Sequence, residues 1–154
     1  LAEEIKNAAM RYSIDPKTLG AILIDEHVRA GFDDLMDILG RLGVNTSVGL
    51  AQIKMDTARD IIAKGYYQEA SSSISDNALY NLLSDEKTSI IFAAARIKMT
   101  IDHWRPAIDL SDRPEILGTL YSRGLLTPHG NPEANDRGNQ IAREFYSYAE
   151  EALR

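Results

Sequence analysis

Ser89-Ile90-Ile91-Phe92-Ala93-Ala94-Ala95, set inside the longer run from Asp85 to Trp104, is the stretch that decides the fold. Its apolar residues fill most of a helical circumference instead of lining one stripe, which predicts a helix with neighbours on several sides in the middle of a domain. The same seven residues are the longest uncharged apolar stretch in the chain, far short of the ~20 needed to span a bilayer. The expectation is a buried central helix in a soluble domain, with no membrane insertion. Pro106 ends that helix.

Working outward, the remaining segments read at the helical period. Towards the N-terminus, Ala2 to Tyr12 opens with acidic residues and puts Ile5, Ala8, Ala9 and Tyr12 on one stripe. Asp15-Pro16 restarts the chain, and Leu19, Ile22 and Leu23 begin a new stripe that Gly31 stops. A short helix is expected from Asp34 to Arg41, then a turn with a short extended piece across Val44 to Lys54, then a helix from Asp56 to Lys64. Ser71-Ser72-Ser73 reads as a loop before a helix from Asp76 to Leu83. Beyond the central helix, Glu115 to Ser122 is helical, Leu125 to Gly138 is the longest loop, and Asn139 to Leu153 closes the chain. With no repeat and no convincing alternating strand, the class is all-α or mostly α, in one domain over 1–154.

Composition narrows the functions. A chain of 154 residues buries roughly 68–70% of its unfolded surface, so one core suffices without a staple. There is no cysteine, which excludes disulfide scaffolds, thiolate-bound zinc and a cysteine nucleophile. Seventeen Lys+Arg against 23 Asp+Glu give a net charge of −6 with no basic cluster, which argues against nucleic acid as a partner. His27, His103 and His129 are scattered, with no second ligand at metal spacing, and Asn131, Glu133, Asn135 and Asp136 lack the glycine placement of a calcium loop. Neither a metal nor a cofactor is expected.

Glu26 breaks the logic of its own helix. At i+3/i+4 spacing from Leu19, Ile22 and Leu23 it falls on the buried face, while Asp25 is turned about 100° away. Burial disfavours the charged carboxylate and raises its pKa, which suits a general acid. The same position also fits a structural ion paired with an Arg, and helical phase alone leaves both readings open.

Further residues add a family resemblance. A helix ending in Glu26, a polar loop, then Ser47-Val48-Gly49-Leu50-Ala51-Gln52-Ile53 and Thr57-Ala58 resembles the lytic transglycosylase and goose-type lysozyme group. Tyr12-Ser13-Ile14-Asp15-Pro16 resembles the entry to that family's catalytic helix. Ser84-Asp85 before Ile90 to Ile97 resembles its central helix, and Leu120-Tyr121-Ser122-Arg123-Gly124 its Ala-Tyr-Asn-x-Gly block. The four blocks stand in order across Tyr12 to Gly124. The resemblance implies a lysozyme-like helical domain that cuts peptidoglycan between N-acetylmuramic acid and N-acetylglucosamine, with Glu26 as the acid. Ser47, Gly49, Leu50 and Gln52 would line the sugar groove, Gly49 allowing close backbone approach to the glycan, and Tyr121 would stand near the acid. The alternative is a lysozyme-like domain that binds glycan or protein without cutting.

Four departures from the family bear on the chemistry. His27 replaces the usual Ser after the acid, Ala51 the usual Met, and Ser122 the usual Asn, while Lys54 stands where goose-type lysozymes carry a carboxylate. A second carboxylate to hold water would then come from Asp33, Asp34 or Asp37 on the long insert between Glu26 and Gly49. Lytic transglycosylases need none. The implied partner is the glycan strand, with an immunity or inhibitor protein as a candidate second partner. The implied place of action is the bacterial wall, in the periplasm or outside the cell, as for a phage lysin, an autolysin piece or a delivered antibacterial effector. No export signal is recognisable, and a first residue of Leu points to a processed chain or a domain of a larger protein.

Overall fold

In the computed structural model, residues 1–29 and 47–154 are described. The fold is mostly helical. In chain order it comprises α1 (Ala2–Tyr12), α2 (Pro16–Arg29), a hairpin of β1 (Ser47–Val48) and β2 (Ile53–Lys54), α3 (Met55–Ala63) and α4 (Asp76–Ser84). Then come α5 (Glu86–Trp104), α6 (Pro114–Arg123), α7 (Asp136–Gln140), a π-helical turn (Ile141–Phe145) and α8 (Tyr146–Ala152). The expected helix from Asp34 to Arg41 lies outside the described residues. No described helix is long and apolar enough to cross a membrane.

The central helix is the one the sequence predicts. α5 buries Ser89, Ile90, Phe92, Ala93, Ala94, Ala95, Ile97, Met99, Thr100, Ile101 and Trp104, and packs against α1, α2, α3, α4, α6 and β2. Its three consecutive alanines let neighbours approach closely, while Phe92 stacks on Tyr67 with ring centroids 4.5 Å apart. Asp85 caps it, Oδ2 accepting from the Thr88 amide at 2.9 Å. At its far end the Trp104 indole donates to the Leu125 carbonyl at 2.7 Å, fastening the loop beyond α6.

Local chemistry fixes how α2 enters the core. α1 ends where Ser13 takes φ +53°, and the Ile14 amide then donates back to Ala9 at 3.0 Å. Asp15 caps α2, its carboxylate accepting from the amides of Lys17 (3.2 Å) and Thr18 (3.0 Å), with Pro16 at the first helical position. Leu19 and Ile22 are fully buried and Leu23 nearly so, which sets the roll of the helix and therefore the direction of Asp25 and Glu26.

Three expectations are corrected. The last helical segment starts at Asp136, three residues before the expected Asn139, because Asn135 caps it: its Oδ1 accepts from the Gly138 amide at 2.8 Å. Gly138, read as part of a loop, is a packing residue, since a β-carbon there would lie 2.1 Å from both the Glu115 carbonyl and Thr119 Oγ1. Asp25, expected to face elsewhere, is only 1% exposed and is more deeply buried than Glu26.

Candidate active site

Glu26 sits near the C-terminal end of α2 and is 8% exposed. Burial raises its pKa above the ordinary glutamate value, and the neighbouring Asp25 charge adds to this, against the opposing pull of Arg137, Arg96 and Arg29. Arg137, from α7, joins the two acids: its Nη2 donates to Glu26 Oε1, and its Nε donates to Asp25 Oδ2 at 2.5 Å. The other Asp25 oxygen accepts from Arg29 Nε at 2.8 Å. The carboxyl is thus both dry and ion-paired, so each of the two sequence readings of Glu26 has a counterpart in the geometry.

Tyr121, on α6, is brought to this corner as expected: its phenol lies within electrostatic reach of Glu26, Arg96 and Arg137. The Arg96 guanidinium stands over its ring, 4.0 Å from the centroid. The hydroxyl proton is committed to the Ala51 carbonyl at 2.8 Å, so Tyr121 braces the hairpin loop. Complete burial raises its pKa, which keeps it neutral at any physiological pH.

The hairpin pairs Ser47 with Lys54 and Val48 with Ile53, leaving Gly49 to Gln52 as a four-residue loop. Gly49 has φ +75°, and a β-carbon on it would lie 2.1 Å from the Leu83 carbonyl and 2.7 Å from Ser89 Oγ. Within the fold, the close approach that demands glycine is to the α4–α5 junction. Ser89, buried on the central helix, accepts from the Ala51 amide at 3.0 Å and holds the loop down. Gln52 takes φ +49°, rare for a residue with a side chain and costing of the order of 1 kcal/mol, and its side-chain Nε2 donates to the Gly49 carbonyl at 2.9 Å.

Other expected groove residues are distributed differently. Leu50 faces an apolar groove of about 540 Å³ whose walls include Ile5, Leu23, Ile24, His27 and Leu153 but not Glu26. His27 is exposed on that side, in the wall of the groove. A smaller cavity of about 370 Å³ shares Arg96 with the acid corner and is lined also by Asp56, Thr57, Asp60 and Thr100. Asp33, Asp34 and Asp37 lie outside the described residues. Among the described residues, no cluster of three or more His, Asp or Glu side chains could hold a metal ion.

Arg137, Asp25 and Arg96 are members of the site that sequence reading missed. An Asn135-Asp136 pair three residues before Gly138 carries the signature of a helix start and would have moved Arg137 from a loop to the first turn of a helix. No family profile, curated protein or solved structure matches this chain.

Proposed function

We propose that the chain is a peptidoglycan-cleaving muramidase in a lysozyme-like domain, with Glu26 as its general acid. The observation that carries this reading is a buried glutamate whose pKa is raised by desolvation, on a helix followed in sequence by a strained, tightly packed hairpin loop. Tyr121 ties that loop to the acid corner through Ala51.

In the reaction, protonated Glu26 gives its proton to the oxygen linking N-acetylmuramic acid to N-acetylglucosamine. The C1–O bond breaks, its electron pair stays on the departing oxygen, and Glu26 is left as the carboxylate. Arg137 lies on that carboxylate as it forms and limits the cost of the buried charge. The electron-poor C1 then takes either water or the muramic acid's own C6 hydroxyl. In attack by the C6 hydroxyl, Glu26 serves as the base and recovers its proton from that hydroxyl; in water attack with inversion the water's proton goes to a second carboxylate instead. Water attack with inversion calls for a second carboxylate about 6.5–9.5 Å from the acid, whereas attack by the hydroxyl calls for none. Lys54, exposed on β2 of the hairpin, offers no carboxylate at the position where goose-type lysozymes have one, and this favours the anhydro product. Mass spectrometry of digested wall tests the assignment: anhydro-muramyl ends support the transglycosylase route, and hydrated reducing ends overturn it in favour of hydrolysis.

A second reading is favoured by one observation, the ion pair between Glu26 and Arg137. A domain that binds glycan or a protein partner without cutting would use Glu26 as a structural ion. Wall binding by wild type with no release of sugar would establish this reading in place of the first.

A further inference from the structure

The acid corner contains a guanidinium that proton donation by itself does not require. Arg137 grips both carboxylates, Asp25 Oδ2 through Nε at 2.5 Å and Glu26 Oε1 through Nη2. Asp25 is held on its other oxygen by Arg29, and Arg29 Nη2 reaches Gln140 Oε1 at 3.1 Å, one helical turn beyond Arg137. These contacts form a closed circuit between α2 and α7. A planar fork anchored on a buried carboxylate has few rotamers left, so its free arm points in one direction.

The backbone under Arg137 is fixed as firmly. Asn135 caps α7 and is itself held by Thr119, whose hydroxyl donates to Asn135 Oδ1 at 3.1 Å and accepts from the Asn135 amide at 3.0 Å. Gly138 then lies flat against Glu115 and Thr119 of α6, where no β-carbon fits. A π-helical turn follows at Ile141–Phe145, a rare irregularity that shifts the register of everything after α7 relative to α2.

We propose that Arg137 is a positioning residue for the acid: anchored on Asp25, it orients the Glu26 carboxyl through Oε1 and so directs the transferable proton onto Oε2. This inference rests on the reading of Glu26 as the general acid. Arg137 does not itself deliver a proton, since a guanidinium stays charged at any working pH. Among the described residues, the charged groups facing Glu26 are Asp25 and Arg29 from α2, Arg96 from α5 and Arg137 from α7, with the neutral Tyr121 phenol from α6. Asp25 opposes ionisation of Glu26 and the three guanidiniums favour it. Charge and geometry can therefore be separated by substitution.

The experiment measures the pH profile of kcat/KM on purified wall together with the ¹³C NMR titration of the Glu26 carboxyl, in wild type, Arg137→Gln, Arg137→Lys and Asp25→Asn. The expected result is opposite movement: the Glu26 midpoint and the alkaline limb rise by about one pH unit or more in Arg137→Gln and fall in Asp25→Asn. Arg137→Lys keeps the charge but loses the fork, so its midpoint stays near wild type while kcat drops by about tenfold or more with KM little changed. An unmoved Glu26 midpoint in Arg137→Gln, or wild-type kcat in Arg137→Lys, overturns the proposal. If Arg137→Gln does not fold, the double variant Asp25→Asn/Arg137→Gln removes the stranded carboxylate too, and wild-type kcat there overturns it equally. Lysis retained by Glu26→Gln overturns the acid reading itself. That failure is read separately, because the NMR midpoints need no activity.

Discussion

The two long faces of α2 bury side chains by opposite chemistry. One presents Leu23, Ile24, His27 and Val28 to an apolar groove, where Val28 is left 64% exposed. The other presents Asp25, Glu26 and Arg29 to Arg137 and Gln140 of α7, where the two carboxylates are nearly dry and are held by guanidiniums. Apolar burial stabilises without further conditions, at about 25 cal/mol per Å². Buried carboxylates stabilise only while their partners stay in place, and replacing such an ion group by apolar residues is often neutral or better for stability. A corner that a simpler side chain would fill more cheaply is thus the part of the helix where selection for something other than stability is expected.

That contrast can be broken, and the largest effect should come from Asp25. Asp25→Ala removes the buried anchor shared by Arg137 and Arg29, and unfolding by urea should show a loss of about 3 kcal/mol, the lower part of the range for a broken buried pair because both guanidiniums are partly exposed and each keeps one other partner. A loss under 1 kcal/mol would make the ion circuit a surface feature. Gly49→Ala tests the neighbouring loop. A left-handed backbone combined with a clash on Leu83 and Ser89 should remove about 2 kcal/mol and detach the hairpin, seen as faster exchange of the Ala51 amide.

Glu26 sharpens the comparison through pH. Its folded pKa is raised, so its contribution favours the folded state below the ordinary value of 4.5 and is lost as pH climbs through the folded value. Thermal melts should therefore show Glu26→Gln gaining on wild type as pH rises from about 4 to 7. A gap that stays constant with pH would mean that the carboxyl titrates normally. The smallest effect belongs to the apolar face: Val28→Ser should change stability by no more than about 0.5 kcal/mol, because that side chain is mostly in solvent already.

Legibility in the sequence followed the range of the interactions. Periodicity alone located the central helix, because Ile90 to Ala95 leave no polar stripe, and it put Glu26 on the inner face of α2 because Leu19 and Ile22 fix the phase. Caps read from single residues also matched: Asp15 and Pro16 start α2 where expected. The hairpin was visible as a turn with a short extended piece, though the reason for Gly49 was not, since Leu83 and Ser89 meet it only in three dimensions. Asp25 was misjudged because helical phase says nothing of a cation arriving from a residue 112 positions away. Gly138 misled for a similar reason. A glycine is an ordinary loop signal, and only the closeness of α6 shows that it is there for lack of a side chain.

The central claim, that a dry Glu26 delivers the proton that cuts the glycan, is tested most directly by release of soluble fragments from purified peptidoglycan by wild type and by Glu26→Gln, with circular dichroism confirming that both fold. The account predicts release by wild type and a loss of about 10²-fold or more in the variant. Equal release by the two proteins, or none from folded wild type, would contradict it.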